Sequence, residues 1–295
     1  MDSEQVLERF DELNVWKQGE QRAPHKPLLV LYALGLWQRG QYEVTFREAE
    51  PTLRALLQEF GPPRKSDHPE QPFWRLQNDG VWRVRAPSDL PLKTGDTIPR
   101  VGALRSPEVR AGFTEDVRAA LSANSGLVAA IAERTLERNF PPSLRQDILD
   151  AVGLNLEEES VTRRKRDPEF RQRVLKAYEY RCAVCGFDVR LGSVSIGLDA
   201  AHIRWHQAGG PDEETNGLAL CVLHHKTFDL GAFTVAEGVL LVSDQVYGTS
   251  GFRESLMAFH GGPIREPQRP DWRPEPGHLA WHRREVFKGD PRHRG

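Results

Sequence analysis

The chain has 295 residues, enough for two domains on a prior of ~100–200 residues each. Its 40 Lys and Arg stand against 42 Asp and Glu, a formal charge of -2, so the overall balance points to no nucleic-acid partner and local distribution must decide. No apolar run suits a bilayer, residues 1–4 lack the basic and apolar regions of a signal peptide, and three clustered cysteines do not make a disulfide framework. A cytoplasmic protein is expected.

Val6, Leu7, Phe10 and Leu13 recur at helical spacing and predict a first helix over residues 3–17. Arg22-Ala23-Pro24-His25-Lys26 forms a basic lead-in to a second helix, which starts at Pro27 and runs to Trp37. A third covers 47–60 and stops at Gly61-Pro62-Pro63. Two aromatic-rich runs, 73–76 and 81–84, flank Asn78-Asp79-Gly80 and predict a β-hairpin; helices followed by a hairpin suggest a winged-helix arrangement. Helices are expected again near 107–122, 125–139 and 143–152, with Phe113, Val117 and Leu121 in one buried stripe. Three glutamates at 157–159 and a basic run at 163–166, with no apolar period, mark a junction. The expected organisation is a first domain over 1–152, a linker over 153–166 and a second domain over 167–295, α+β in class. Asp167 and Pro168 read as N-cap and first helical residue. The tail after Gly261, rich in Pro, Arg and Trp, is expected to wrap the second domain or to be loosely ordered.

All three cysteines fall between 182 and 221. Cys182-Ala183-Val184-Cys185 and Cys221-Val222-Leu223-His224 are two close pairs of soft ligands, the spacing a tetrahedral structural zinc requires. Between them the sequence predicts a strand over 194–198 ending at Asp199-Ala200-Ala201-His202-Ile203. A loop with Gly209-Gly210-Pro211, a strand over 216–220 and a helix from 222 follow. This is the element order of a ββα-metal unit. Ala200-Ala201-His202-Ile203, Asn216-Gly217-Leu218, Leu220-Cys221, His224-His225 and Phe228-Asp229 resemble the HNH endonuclease family, in particular its McrA-like bacterial branch.

The resemblance implies three catalytic positions. His202 is the general base, since an imidazole of ordinary pKa near ~6.5 takes a proton from water at neutral pH. Asn216 orients the histidine-bearing loop. His225 binds a divalent cation such as Mg²⁺ or Mn²⁺ against the scissile phosphate. One departure stands out: many relatives carry a further metal ligand where this chain has Ala201. Asp229, one helical turn after His225, is the favoured replacement, with Asp199 the alternative. His206 is expected to be solvated or to touch phosphate.

Arg22 to Leu29, the stretch Asp67-His68-Pro69-Glu70-Gln71-Pro72-Phe73-Trp74-Arg75-Leu76 and the Trp82 strand resemble the sulfur-binding domain of type IV restriction endonucleases that cut phosphorothioated DNA. Sulfur is larger and less strongly hydrated than the phosphate oxygen it replaces, so an apolar pocket desolvates it at lower cost. The resemblance implies that pocket at His68, Pro69 and Pro72, with Arg22, His25 and Lys26 on the neighbouring phosphates and Lys93 and Thr94 near a groove. Between Arg163 and Arg181 eight basic residues face three acidic ones, a stripe suited to a phosphate backbone. Double-stranded phosphorothioated DNA is the expected partner, and a homodimer is expected because one finger per chain cuts one strand. Two other readings compete: an HNH enzyme that reads methylated cytosine, and a zinc-stabilised DNA-binding protein that does not cut.

Overall fold

Ten consecutive residues of one helix, Pro27 to Leu36, are all buried, and they organise the N-terminal half. A helix apolar on every side has to be surrounded. In the computed structural model, which describes residues 2–14, 21, 23–93, 95, 97–156 and 168–293, two units separate at 162/163. The first contains α1 (Ser3–Asp11), α2 (His25–Gln38), β1 (Val44–Thr45), α3 (Phe46–Phe60), α4 (Glu70–Arg75), β2 (Trp82–Arg85), α5 (Val101–Leu104), β3 (Arg110–Phe113), α6 (Glu115–Ala123), α7 (Gly126–Asn139) and α8 (Pro142–Val152). Helices α3, α4, α7 and α8 pack around α2. Capping boxes start α1 and α3: Asp2 with Gln5, and Thr45 with Glu48, satisfy amides that the first turn leaves unpaired.

The three strands are antiparallel in the order β1-β3-β2, with Trp82 opposite Phe113 and both Val44 and Val84 opposite Ala111. Helix, strand, two helices and two strands, with the last strand central, is the winged-helix arrangement the sequence suggests. The hairpin itself is misplaced in that expectation. Residues 73–75 belong to α4, a 3₁₀ turn covers Leu76–Asp79, and the partner of β2 is β3, so the wing is the long connection 86–109. Burial explains the correction: Phe73 and Leu76 are fully buried at helical i, i+3 spacing, whereas a strand would bury 73 and 75. Phe113 likewise lies in β3 rather than on the 107–122 helix, which is reduced to α6 and retains Val117 and Leu121 as its buried face. The aromatic residues behind these misreadings form an edge-to-face column: Phe10 to Phe113 at 5.9 Å, Phe113 to Trp82 at 5.9 Å, Trp82 to Phe73 at 6.1 Å and Phe73 to Phe46 at 5.1 Å. The first helix ends at Asp11; residues 15–20 and the proposed N-cap Asp167 lie outside the described residues.

The second unit begins with α9 (Pro168–Ala177). A short hairpin, β4 (Arg190–Leu191) and β5 (Val194–Ser195), precedes β6 (Leu198–His202), β7 (Gly217–Cys221) and α10 (Val222–Asp229). The hairpin β8 (Phe233–Ala236) and β9 (Val239–Val242), α11 (Ser250–Ser255) and α12 (Pro276–Glu285) complete it. Strands β6 and β7 pair antiparallel from Leu198 opposite Cys221 to His202 opposite Gly217, and α9 covers them. Gly217 lets α9 come close: a Cβ there would lie 2.4 Å from Val174 Cγ2. The tail wraps this unit. Arg265 N donates to Ala183 O, Gln268 N to Ala177 O and Lys288 N to Gly231 O, while Trp281 is buried 6.1 Å from Trp205. Among the described residues no helix is long and apolar enough to cross a membrane.

Candidate functional site

The metal cluster is assembled from two elements. Cys182 and Cys185 lie on a tight knuckle, closed by Gly186 N to Cys182 O at 2.9 Å, in which Gly186 adopts a φ of 75°. Cys221 ends β7 as the N-cap of α10, and His224 sits in the first turn of that helix. The four ligand atoms lie within 4.8 Å of one another, with Cys185 Sγ to Cys221 Sγ at 4.0 Å and Cys221 Sγ to His224 Nδ1 at 3.2 Å. Sulfurs bound to one tetrahedral zinc stand about 3.8 Å apart, so the residues fit that ion. The ring of His224 is prepared for it: Nε2 donates to Ser255 O at 2.7 Å, which leaves Nδ1 without a proton and facing the thiols. A hydrogen bond from Cys221 holds the Cys182 thiol well below its usual pKa, while the Cys221 thiol is pushed up.

His202 ends β6 at the mouth of the loop. Its ring stacks on Phe170 of α9, with centroids 4.2 Å apart, and its Nε2 lies 2.7 Å from Asp212 Oδ1. Burial lowers the His202 pKa from the usual 6.5, against the Asp212 hydrogen bond and charge, which raise it. Asn216 is fully buried and ties the loop to itself. Its Oδ1 accepts from Arg204 N at 2.8 Å, and its Nδ2 donates to Arg204 O and Pro211 O, both at 2.9 Å. Gly210 permits this closure, since a Cβ there would stand 1.9 Å from Arg204 O. His206 lies at the loop start, 6.2 Å from His202 between ring centroids.

His225 sits between two carboxylates: Nε2 is 3.2 Å from Asp229 Oδ2 and Nδ1 is 3.7 Å from Asp199 Oδ2. Asp229 is buried, and its charge also acts on His202. Asp199 is paired with Arg171 at 3.2 Å, and Arg171 also donates to Leu198 O. The structure thus brings His202, His225 and Asp229 into one electrostatic neighbourhood, with Asp199 on the far side of the His225 ring. In the basic stripe, Arg171, Arg173 and Arg181 all make ion pairs, with Asp199, Glu214 and Asp188; 163–167 lie outside the described residues.

In the N-terminal unit several predicted residues converge on one buried carboxylate. Glu70 Oε1 accepts from Lys93 Nζ at 2.9 Å and from His68 Nδ1 at 3.1 Å. Burial would raise the Glu70 pKa, yet the hydrogen bond from Lys93 and its charge hold it below normal. His25, at the start of α2, feels the same group: burial, then the charges of Arg64 and His68, lower its pKa. No side chain caps this first turn of α2, whose positive end adjoins His25. Lys26 is only 14% exposed and is held by Asp79 at 2.5 Å and Asn14 O at 2.7 Å. Pro69 and Pro72 are buried, the first as N-cap of α4 and the second within it, while His68 is exposed. Arg22 and Thr94 lie outside the described residues. Sequence reasoning missed Glu70, Asp79, Asp212 and Arg64. Only the last carries a local signal, the basic pair after Gly61-Pro62-Pro63.

Two family models match. Residues 3–157 match the ScoMcrA-like DNA sulfur-binding domain, and residues 182–236 match the HNH endonuclease. Among solved structures, the sulfur-binding domain of ScoMcrA complexed with phosphorothioated DNA is 22% identical, covering 50% of this chain and 94% of that one, with a TM-score of 0.44. The type IV phosphorothioation-dependent restriction endonuclease ScoMcrA is 22% identical over 50% of this chain and only 32% of its own length, with a TM-score of 0.42. The modification-dependent TagI restriction endonuclease is 26% identical, covering 45% of this chain and 41% of that one, at 0.32. No curated protein matches the chain.

Proposed function

Because the chain belongs to the family of ScoMcrA-like DNA sulfur-binding domains and carries an HNH endonuclease domain, we propose that it recognises phosphorothioated double-stranded DNA and hydrolyses phosphodiester bonds near the mark. The observation that carries the cleavage step is the His202 to Asp212 contact at 2.7 Å beside the His225 and Asp229 pair. With Nε2 donating to a carboxylate, Nδ1 of His202 is the acceptor, and its lowered pKa keeps it unprotonated at neutral pH. A proton passes from water to His202, the water oxygen bonds to phosphorus and the bond to the 3′ oxygen breaks. Asn216 keeps the loop that carries Asp212 closed over the base.

His225 Nε2 and Asp229 Oδ2, 3.2 Å apart, are spaced as adjacent ligands of one small divalent ion, and they are the candidates to hold Mg²⁺ or Mn²⁺. Held there, such an ion would supply charge neutralisation at phosphorus and at the leaving oxygen. Cys182, Cys185, Cys221 and His224 would hold zinc as a clamp, because four protein ligands complete a tetrahedral site. Cutting both strands implies two copies.

In the reading unit, Glu70 is the anchor that aims His68 and Lys93, with His25 and Arg64 alongside. The methylated-cytosine reading needs aromatic faces for a flipped base. Phe73, Trp82 and Phe113 are instead consumed by the core. The test compares matched duplexes with and without one phosphorothioate, in Mg²⁺ or Mn²⁺: preferential binding and cutting of the sulfur-bearing duplex is expected, and equal binding refutes the reading. His202→Ala should lower cutting by roughly 10²–10⁴-fold and spare binding; cutting that persists removes His202 as the base.

A further inference from the structure

The β4–β5 hairpin turns through Gly192-Ser193, with Leu191 opposite Val194, Arg190 opposite Ser195, and Ile196 N bonded to Val189 O at 3.0 Å. A two-residue turn with Gly192 at a φ of 58° fixes that register. Side chains directly opposite share a face, and so do those two apart on a strand. Val189, Leu191, Val194 and Ile196 therefore all project from one side of the ribbon, and they are 50%, 73%, 65% and 46% exposed. The other side carries Arg190, whose guanidinium lies over the Tyr180 ring at 5.1 Å, and Ser195. At the base of the ribbon Val222, 65% exposed, donates its N–H to Gly197 O at 3.0 Å and begins α10.

These five aliphatic side chains are half of the large hydrophobic residues left exposed among those described, although the ribbon is a small part of the chain. Together they expose about 500 Å² of apolar surface, at the upper end of what a monomer leaves uncovered. That area is close to the apolar share, about 60%, of the ~800 Å² that each partner gives to a stable interface of standard size. The face is also self-complementary: an aliphatic pair near the tip and another near the base, with no charge between them, match the same face turned by a two-fold axis.

We propose that this ribbon is the interface through which two copies of the chain associate, face against face. The purpose of the pairing rests on the endonuclease reading above; the interface itself does not. Because Val222 starts the helix that carries His224 and His225, association here fixes the spacing of the two nuclease centres and so the offset between the two cuts.

Sedimentation velocity of the full zinc-loaded chain over a concentration series tests it. The unaltered chain should sediment as a dimer, and Leu191→Glu should raise the dimer dissociation constant roughly tenfold or more, with the far-ultraviolet spectrum and zinc content retained. Mixing Leu191→Glu with Leu191→Lys should restore a heterodimer. On a supercoiled plasmid carrying the mark, Leu191→Glu should nick single strands where the unaltered chain makes double-strand breaks. An unaltered chain that stays monomeric, or a Leu191→Glu chain that stays dimeric, overturns the proposal. So does a monomer whose Leu191→Glu variant loses DNA affinity, which would make the ribbon a DNA contact. A dimer that responds to Leu191→Glu but never cuts would sink the endonuclease reading and leave the interface standing.

Discussion

The two units place their working residues in opposite relations to what holds them together. In the N-terminal unit an all-buried helix and a column of aromatic rings supply the stability, and the proposed DNA contacts His68 and Lys93 lie at the edge of that core, steered by one carboxylate, Glu70. In the C-terminal unit the proposed zinc ligands and the proposed catalytic residues alternate along the same short elements. His224 faces the cysteines and its neighbour His225 faces Asp229. A reader of DNA marks can thus change its surface without disturbing its fold. A nuclease centre built this way cannot lose its clamp and keep its geometry.

The largest effect should come from breaking the clamp. Metal chelation, or Cys182→Ser, is expected to unfold the C-terminal unit alone, because a structural zinc contributes about 10 kcal/mol or more to a small domain. Scanning calorimetry should show two transitions, of which only one disappears, with phosphorothioate binding retained. One shared transition would remove the contrast between the units.

A smaller effect follows from Asp212. A general base must be unprotonated, and burial sets the His202 pKa below 6.5, so cleavage should hold at that pH and decline only in more acidic solution. Asp212 raises that pKa, so Asp212→Asn should move the acid limb to still lower pH while cutting the plateau rate by about tenfold. A limb that shifts upward would show that Asp212 does not hold the base.

The smallest effect belongs to the reading surface. Glu70→Gln leaves Lys93 and His68 without their shared anion. Preference for the sulfur-bearing duplex should fall by about threefold to tenfold, with the rate at saturating DNA unchanged. Unaltered preference would place recognition elsewhere on this unit.

How much of this the sequence discloses depends on how local the cause is. Metal ligands come in short spacings, so the Cys182, Cys185, Cys221 and His224 set is visible in the chain, and β7 and α10 fall within a residue of expectation, whereas the strand expected over 194–198 is broken at Gly197, with a φ of 63°, into β5 and a β6 that begins at Leu198. The 73–76 run misleads because aromatic residues suit strands, while the space beneath α2 takes Phe73 and Leu76 at helical spacing. Asp212 and Glu70 are ordinary acids in the sequence, ten residues from His202 in one case and 23 from Lys93 in the other. Only chain folding makes them partners. The resemblance points to Pro69 and Pro72 as an apolar pocket, and their burial at the start of α4 is set by packing that the sequence does not display.

The path of the chain after Gly261 carries one more consequence. The backbone amide of Arg265 is bonded to Ala183 in the cysteine knuckle, and that of Lys288 to Gly231 just beyond α10. The nuclease centre is therefore strapped from outside by a segment that lies beyond it in the sequence. A cut between 265 and 287 would leave the knuckle strap in place and free the one beyond α10, so the two ends of the finger are held independently.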